Sequence, residues 1–428
     1  MIIHIVQPDE TIDSIANYYG INKERLIFDN DITNYNKLVE GQTLVIVYPE
    51  EVYIVKEGDT ISTIAKRFHI TELTLIRNNS FLLNRELIVD EELVITYKDE
   101  KTFNLNTNGY AYPYINKDIL RKNLLYLTYL SIYSYSINSD GSLTEIDDLE
   151  VIRIAKSFGV APVMIISGES ADETKGLNFL HDFINDEEII QRVIEQATQI
   201  ASEKGYYAVN LDVPYISMDD RQVFIELLTI FADRLHAHGI KLFITITPKS
   251  FGDESASENL NIDYGVIGNI ADEILLISYS WGYASEIPFE ALPSNILEIL
   301  LEYVKKYVPA EKLTVGLSSI GYIVEFPPIK GVTKASSISV TNAIELASQS
   351  GAKIEFNPSN QNSYFFVSEK NINFFVYFPD IRAVDYELSK LTSVGVNGVG
   401  IWNIMYYLAQ TFFLINTQYN IIQVIKES

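Results

Sequence analysis

One run of this chain places groups able to do chemistry on a common face. From Tyr207 to Val213 it is short, apolar and β-branched, the pattern of a strand buried on both sides. Side chains alternate along a strand, so Asn210, Asp212 and position 214 project the same way. If that face looks into an α/β barrel, an amide and a carboxylate point at the mouth, where such folds keep their chemistry. The third residue on the face is Pro214, which neither gives nor takes a proton, and no Glu occurs in the ten residues after it. Asp219 and Asp220 follow closely but precede a helix and read as N-caps. Asp212 itself has two readings, a working carboxylate or one held inside a barrel for structural reasons. Metal chemistry is not expected. The chain has no Cys, and His236 and His238, two apart on a helix, diverge from one face.

The elements that must position this strand follow from periodicity. Strands are expected near Gly109–Tyr112, Tyr129–Tyr135, Pro162–Ser167, Tyr207–Val213, Leu242–Thr247, Glu273–Ser278, Thr314–Leu317 and Val399–Trp402. Amphipathic helices at Leu149–Phe158, Asp186–Lys204, Asp220–His236 and Ile296–Tyr307 alternate with them. The pattern predicts an α/β fold, a (β/α)8 TIM barrel, over an open doubly wound sheet. No Gly-x-Gly-x-x-Gly or Walker-type loop argues for the open sheet, and no cofactor is expected. Between the seventh and eighth strands, about 322–378, the spacing is too long for one helix. A helix at Val340–Ser350 and three strand-like runs predict an α+β insertion forming one wall of a cleft. Tyr110, Tyr112, Tyr133 and Tyr135 either line that cleft or pack the barrel.

Composition narrows the partners. A formal net charge of -25 argues against nucleic acid and anionic membranes, because phosphate contacts dominate such binding. No apolar run approaches the roughly 20 residues of a spanning helix. The sequence opens on strand-like Met1-Ile2-Ile3-His4 rather than a basic region and an apolar core, so export by a classical signal peptide is not expected. The oligomeric state is not legible.

Residues 1–98 hold a repeat. His4-Ile5-Val6-Gln7-Pro8-Asp9-Glu10-Thr11-Ile12 matches Tyr53-Ile54-Val55-Lys56-Glu57-Gly58-Asp59-Thr60-Ile61 at a constant offset of 49, with the register kept through Leu44/Leu93. Each copy reads strand, helix, short helix, strand, and Thr11 and Thr60 are placed to cap the first helix. The copies, at 1–49 and 50–98, resemble LysM modules. Gly58-Asp59-Thr60 and Gly41-Gln42-Thr43-Leu44-Val45-Ile46 match that pattern, whereas Pro8-Asp9-Glu10 and Asp90-Glu91 replace glycine-bearing turns. The resemblance implies binding of N-acetylglucosamine-containing glycans in a groove at Asp9, Glu10, Thr11, Asn30 and Asp31, and at Gly58, Asp59, Thr60, Asn78 and Asn79.

Residues 102–428 resemble family-18 glycoside hydrolases, specifically the spore-cortex N-acetylglucosaminidases with two N-terminal LysM modules. The matching stretches include Asn108-Gly109-Tyr110-Ala111-Tyr112-Pro113, Tyr133-Ser134-Tyr135, Tyr279-Ser280-Trp281-Gly282 and Gly398-Val399-Gly400-Ile401-Trp402. In that family a Glu protonates the leaving oxygen while the substrate's own acetamido oxygen attacks, oriented by an Asp two residues earlier. The resemblance implies that Asp212 is the orienting carboxylate, Tyr279 holds the acetamido group, and Tyr110, Tyr112, Tyr135, Trp281 and Trp402 contact glycan. Asn210 and Pro214 stand at the family's Asp and Glu positions.

Proline is incompetent as a general acid, a role worth roughly 10²–10⁴-fold. The expectation is therefore a protein of the spore or cell wall that binds peptidoglycan or a related N-acetylglucosamine polymer without ordinary catalysis. The alternative is an active cortex-lytic N-acetylglucosaminidase with a relocated acid, Glu169, Glu286 or Glu325. A third reading is a scaffold that binds no glycan.

Overall fold

The computed structural model describes residues 1–32, 37–98, 101, 103–168, 184–212, 220–246, 262–277, 295–329 and 332–425. Two small modules lead the chain. In the first, β1 (Ile2–Ile5) pairs antiparallel with β2 (Thr43–Ile46) around α1 (Ile12–Tyr19) and α2 (Lys23–Asp29). In the second, β3 (Pro49–Ile54) and β4 (Glu92–Tyr97) enclose α3 (Ile61–Arg67) and α4 (Glu72–Asn78). Thr11 and Thr60 each accept from the backbone N–H three residues on, and the Ser14 and Thr63 hydroxyls accept the return bond. The two turns that depart from the glycine pattern keep its backbone. Asp9 has φ 64° where the second copy has Gly58 at 83°, and Asp90 has φ 71° where the first has Gly41 at 86°. Aspartate tolerates the left-handed region better than most side chains, so the turns survive the exchange.

The barrel strands follow in order: β5 (Phe103–Ala111), β6 (Tyr129–Ser136), β7 (Ala161–Ser167), β8 (Ala208–Asp212), β9 (Lys241–Ile246), β10 (Glu273–Leu276) and β11 (Leu313–Ser318). Beyond an excursion come β12 (Ile320–Phe326), β13 (Ser336–Ser339), β14 (Glu355–Asn357), β15 (Asn362–Glu369) and β16 (Ile372–Phe378), then β17 (Gly398–Trp402) and β18 (Tyr419–Ile421). Strands β5 to β11 and β17 are parallel neighbours, and β17 pairs back onto β5, closing an eight-stranded barrel. The first barrel strand begins six residues before the expected Gly109, because Phe103 to Leu105 pair with β18 below the barrel.

Helices α5 (Lys117–Leu124), α6 (Leu149–Ser157), α7 (Glu187–Lys204), α8 (Arg221–His236), α9 (Tyr264–Ile270) and α10 (Asn295–Val304) surround the strands. Alternation sorts the side chains. On β8, Val209 and Leu211 pack outward into the main core, while Ala208 joins Tyr129, Val163 and Phe243 inside the barrel.

In the excursion, α11 (Val340–Ser350) covers one face of the five-stranded antiparallel sheet β13-β12-β16-β15-β14. The helix lies as expected from sequence, but two of the five strands, β12 and β13, go beyond the three expected runs; in β13, Ser336-Ser337-Ile338-Ser339 lacks a β-branched apolar run. Helices α12 (Ile381–Ser393) and α13 (Ala409–Gln418) complete the ring and carry the first module's contacts with the barrel.

Candidate active site at the barrel mouth

Asn210 and Asp212 share the inward face of β8, as the alternation requires. Asn210 is buried and pairs with Thr245, its Nδ2 donating to Oγ1 at 2.8 Å. Asp212 ends the strand, half-buried at the mouth, and its Oδ2 accepts from the Tyr133 hydroxyl at 2.7 Å. Burial pushes the Asp212 carboxyl up to about 6, and the Tyr133 hydrogen bond holds it back from rising further. Among the described residues the partner of this carboxylate is thus a phenol on β6, while its strand neighbour Asn210 is engaged by Thr245. The sequence signal for Tyr133 is its parity with Tyr129 and Ser131 on one strand, Tyr129 pointing inward, a signal that holds only up to the extra residue in β6.

An aromatic wall stands beside it. The Tyr133 and Trp402 ring centroids are 5.1 Å apart at 72°, and Tyr112 lies 5.7 Å from Tyr133 and 6.2 Å from Trp402. Tyr114, 75% exposed, stacks on Tyr112 at 5.3 Å. Tyr110, expected to contact glycan, is instead buried under Trp402, with ring centroids 5.9 Å apart, and supports the wall from below. Ile165, Leu275 and Ile277 fill the space beneath, and Ile320, the first residue of the excursion sheet, packs on the same cluster. A half-buried carboxylate beside aromatic faces suits a sugar carrying an acetamido group, with the ring on the aromatics and the amide at Asp212. No group of three or more His, Asp or Glu residues able to hold a metal occurs among the described residues.

Tyr135 corrects the expectation that it contacts glycan. It is 0% exposed, outside the barrel, and donates to the buried Asp148, which also pairs with Lys204 at 2.7 Å. The cause is an extra residue in β6: Ile132 pairs with Met164 but Tyr135 pairs with Ile166, so the alternation slips between them. Glu325, a candidate relocated acid, is exposed on β12 with the parity of Ile323, which packs toward α11, opposite to Ile320 and Tyr322. It is not among the residues that the mouth cluster brings together. Tyr279, Trp281, Pro214, Glu169, Glu286 and Asp219 lie outside the described residues. Asp220 precedes α8 without making the expected capping bond; its Oδ1 accepts from Asn185 Nδ2 at 3.3 Å.

In the modules, Asp9, Thr11, Asp31, Gly58 and Thr60 are exposed. Glu10 and Asp59 hold their own turns. Glu10 accepts from the Gln7 N–H at 2.7 Å and bonds His4, and Asp59 accepts from the Lys56 N–H and the Tyr53 hydroxyl, both at 2.8 Å. Asn30, Asn78 and Asn79 correct the groove assignment. All three are buried, and Asn30 and Asn79 bridge helix to strand, donating to Leu26 and Val45 and to Leu75 and Val94 carbonyls respectively. Asn78 donates to the Ile95 carbonyl and accepts from Asn416 of α13. Their amides serve the module fold and its seat on the barrel.

Comparison with known proteins identifies the domains of the chain. The model for glycosyl hydrolases family 18 matches residues 94–406, and that for the LysM domain matches residues 4–47 and 53–96. The cortical fragment-lytic enzyme of Bacillus subtilis is 32% identical over 431 residues, covering 99% of each chain. The solved structure of the spore cortex-lytic enzyme SleL from Bacillus megaterium superposes with a TM-score of 0.80 at 24% identity, over 98% of each chain. A chitinase from Chromobacterium violaceum matches over 72% of this chain and 99% of its own, with TM-score 0.63 at 18% identity.

Proposed function

The chain belongs to the glycosyl hydrolases of family 18 and carries two LysM domains ahead of its barrel, and from that premise we propose that it is a cortex-lytic N-acetylglucosaminidase of the spore wall. The observation that carries this reading is the Asp212 carboxylate, held at 2.7 Å by Tyr133 beside Trp402 and Tyr112. A carboxylate so placed orients a substrate acetamido group whose oxygen attacks the anomeric carbon, so the first step needs no protein nucleophile. The LysM domains hold the glycan strand, through Asp9, Glu10, Thr11 and Asp31 or through Gly58, Asp59 and Thr60. Names of end-to-end relatives support the substrate class. The proton for the leaving oxygen comes from a carboxyl other than position 214, and Glu169 and Glu286, which follow the third and sixth barrel strands in sequence, are the candidates.

Pro214 favours a second reading, in which the mouth holds the glycan without cutting it. Incubation with purified cortex fragments, followed by mass spectrometry for new reducing ends, separates the two. Hydrolysis lost in Asp212→Asn and in either Glu169→Gln or Glu286→Gln supports the enzyme. Fragments retained without cleavage, with cleavage appearing in Pro214→Glu, support the binding protein. Cleavage that survives Asp212→Ala overturns the site assignment in both.

A further inference from the structure

The repeat supplies an internal comparison that the family relationship does not settle: the same loop occurs twice in different surroundings. In the first module it is Lys37-Leu38-Val39-Glu40-Gly41-Gln42, and 49 residues on it is Glu86-Leu87-Ile88-Val89-Asp90-Glu91. The internal bonding is conserved, since Gln42 Oε1 accepts from the Val39 N–H at 3.1 Å and Glu91 Oε1 from the Ile88 N–H at 2.7 Å. The environments are opposite. Val39 is 5% exposed, whereas Ile88 is 57% and Val89 52% exposed.

Val39 is buried because it belongs to another hydrophobic core. It packs with Ala343, Ala347, Ile354, Phe365, Val376 and Phe378, the residues between α11 and the excursion sheet. The neighbouring backbone is stitched to the same unit: the Ile354 N–H donates to the Glu40 carbonyl at 2.9 Å, and Lys37 donates to the Ser348 carbonyl. Lys353 pairs with the Glu40 carboxylate at 2.7 Å. Gly41 lets the chains approach this closely, because at φ 86° a Cβ would sit 1.9 Å from the Ile354 oxygen. The excursion sheet also reaches the mouth, through Ile320. A cavity of about 200 Å³ at this junction does not itself suggest a ligand, since its Asn30, Gln42 and Asp380 side chains are already bonded within the protein.

We propose that the two modules divide their labour. The first is a brace whose loop 37–42 completes the core of the excursion and positions that wall of the cleft, and the second, with its loop open, is the module that holds the glycan. The brace rests on packing alone; the glycan half rests on the proposed function. An amphiphilic amino-sugar polymer suits the open loop, with apolar Ile88 and Val89 in the module that carries the exposed Gly58 and Thr60 turn.

The test uses the full-length chain and two readouts, amide hydrogen exchange over residues 340–357 and co-sedimentation with purified peptidoglycan. Val39→Ser and Gly41→Ala accelerate exchange in that segment by roughly tenfold or more, the scale expected for a core opened at one residue, and leave sedimentation within about twofold. Val39→Ile restores the protection. Ile88→Asp cuts sedimentation by roughly tenfold and leaves exchange over 340–357 unchanged. Exchange unaltered in both brace variants overturns the brace. Sedimentation lost in the brace variants and kept in Ile88→Asp reverses the assignment of the modules. A wild-type chain that does not sediment removes the glycan half and the LysM part of the proposed function together, while the exchange result still decides the brace.

Discussion

Replacing Tyr133 by Phe tests the mouth at its most specific point. The substitution removes one hydroxyl, the donor 2.7 Å from Asp212 Oδ2, and leaves the ring against Trp402. Burial already pushes the Asp212 carboxyl up to about 6, and the Tyr133 bond is what favours its ionised form. A hydrogen bond to a charged group is worth about 1.5–3 kcal/mol. One pKa unit corresponds to about 1.4 kcal/mol, so Tyr133→Phe is expected to raise Asp212 from about 6 to roughly 7–8. The direct assay is a pH titration of the aspartate side-chain carbons by NMR, with Asp212→Asn identifying the signal. The stability consequence has a defined sign. The folded pKa lies above the ordinary value of 3.8, so the contribution of this group to stability is full below about pH 4 and is lost as pH rises through about 6. In Tyr133→Phe the loss extends to roughly pH 7–8, so the variant weakens relative to wild type as pH climbs through that window. The acid limb of any hydrolytic pH profile moves up by the same interval. An Asp212 signal that titrates in Tyr133→Phe at or below its wild-type value would refute the claim that this phenol holds the carboxylate ionised.

Two further outcomes follow from buried polar groups. Glu273, 8% exposed inside the barrel, accepts from the Thr314 hydroxyl at 2.5 Å, and burial pushes it up to about 7. Wild-type stability therefore falls relative to Glu273→Gln as pH rises from 5 to 8; urea titrations at both values check this, and a gap that does not change with pH counts against it. Asn79→Ala strands the Leu75 and Val94 carbonyls and the Val94 N–H inside the second module, at a cost of about 2–3 kcal/mol in urea unfolding. A loss below about 0.5 kcal/mol means that this amide is dispensable to the fold.

Much of this molecule was determined locally and is legible as sequence. Strand periodicity places Asn210 and Asp212 on the inward face of β8, because alternation is a property of the backbone. The capping threonines Thr11 and Thr60 and the repeat at offset 49 are likewise local. What crosses between elements was decided only by the tertiary structure. One extra residue in β6 turns Tyr135 out of the barrel, a slip that hydrogen-bond register reveals and composition does not. Asn30, Asn78 and Asn79 look like surface polar residues in a binding loop, yet they are buried, because a helix end and a strand need their amides as bridges. Duplicated loops with one internal bonding pattern meet opposite surroundings, Val39 in a foreign core and Ile88 in the open. Sequence sets what each segment can offer through its own torsions and pattern, whereas the burial of each offered group depends on partners hundreds of residues away.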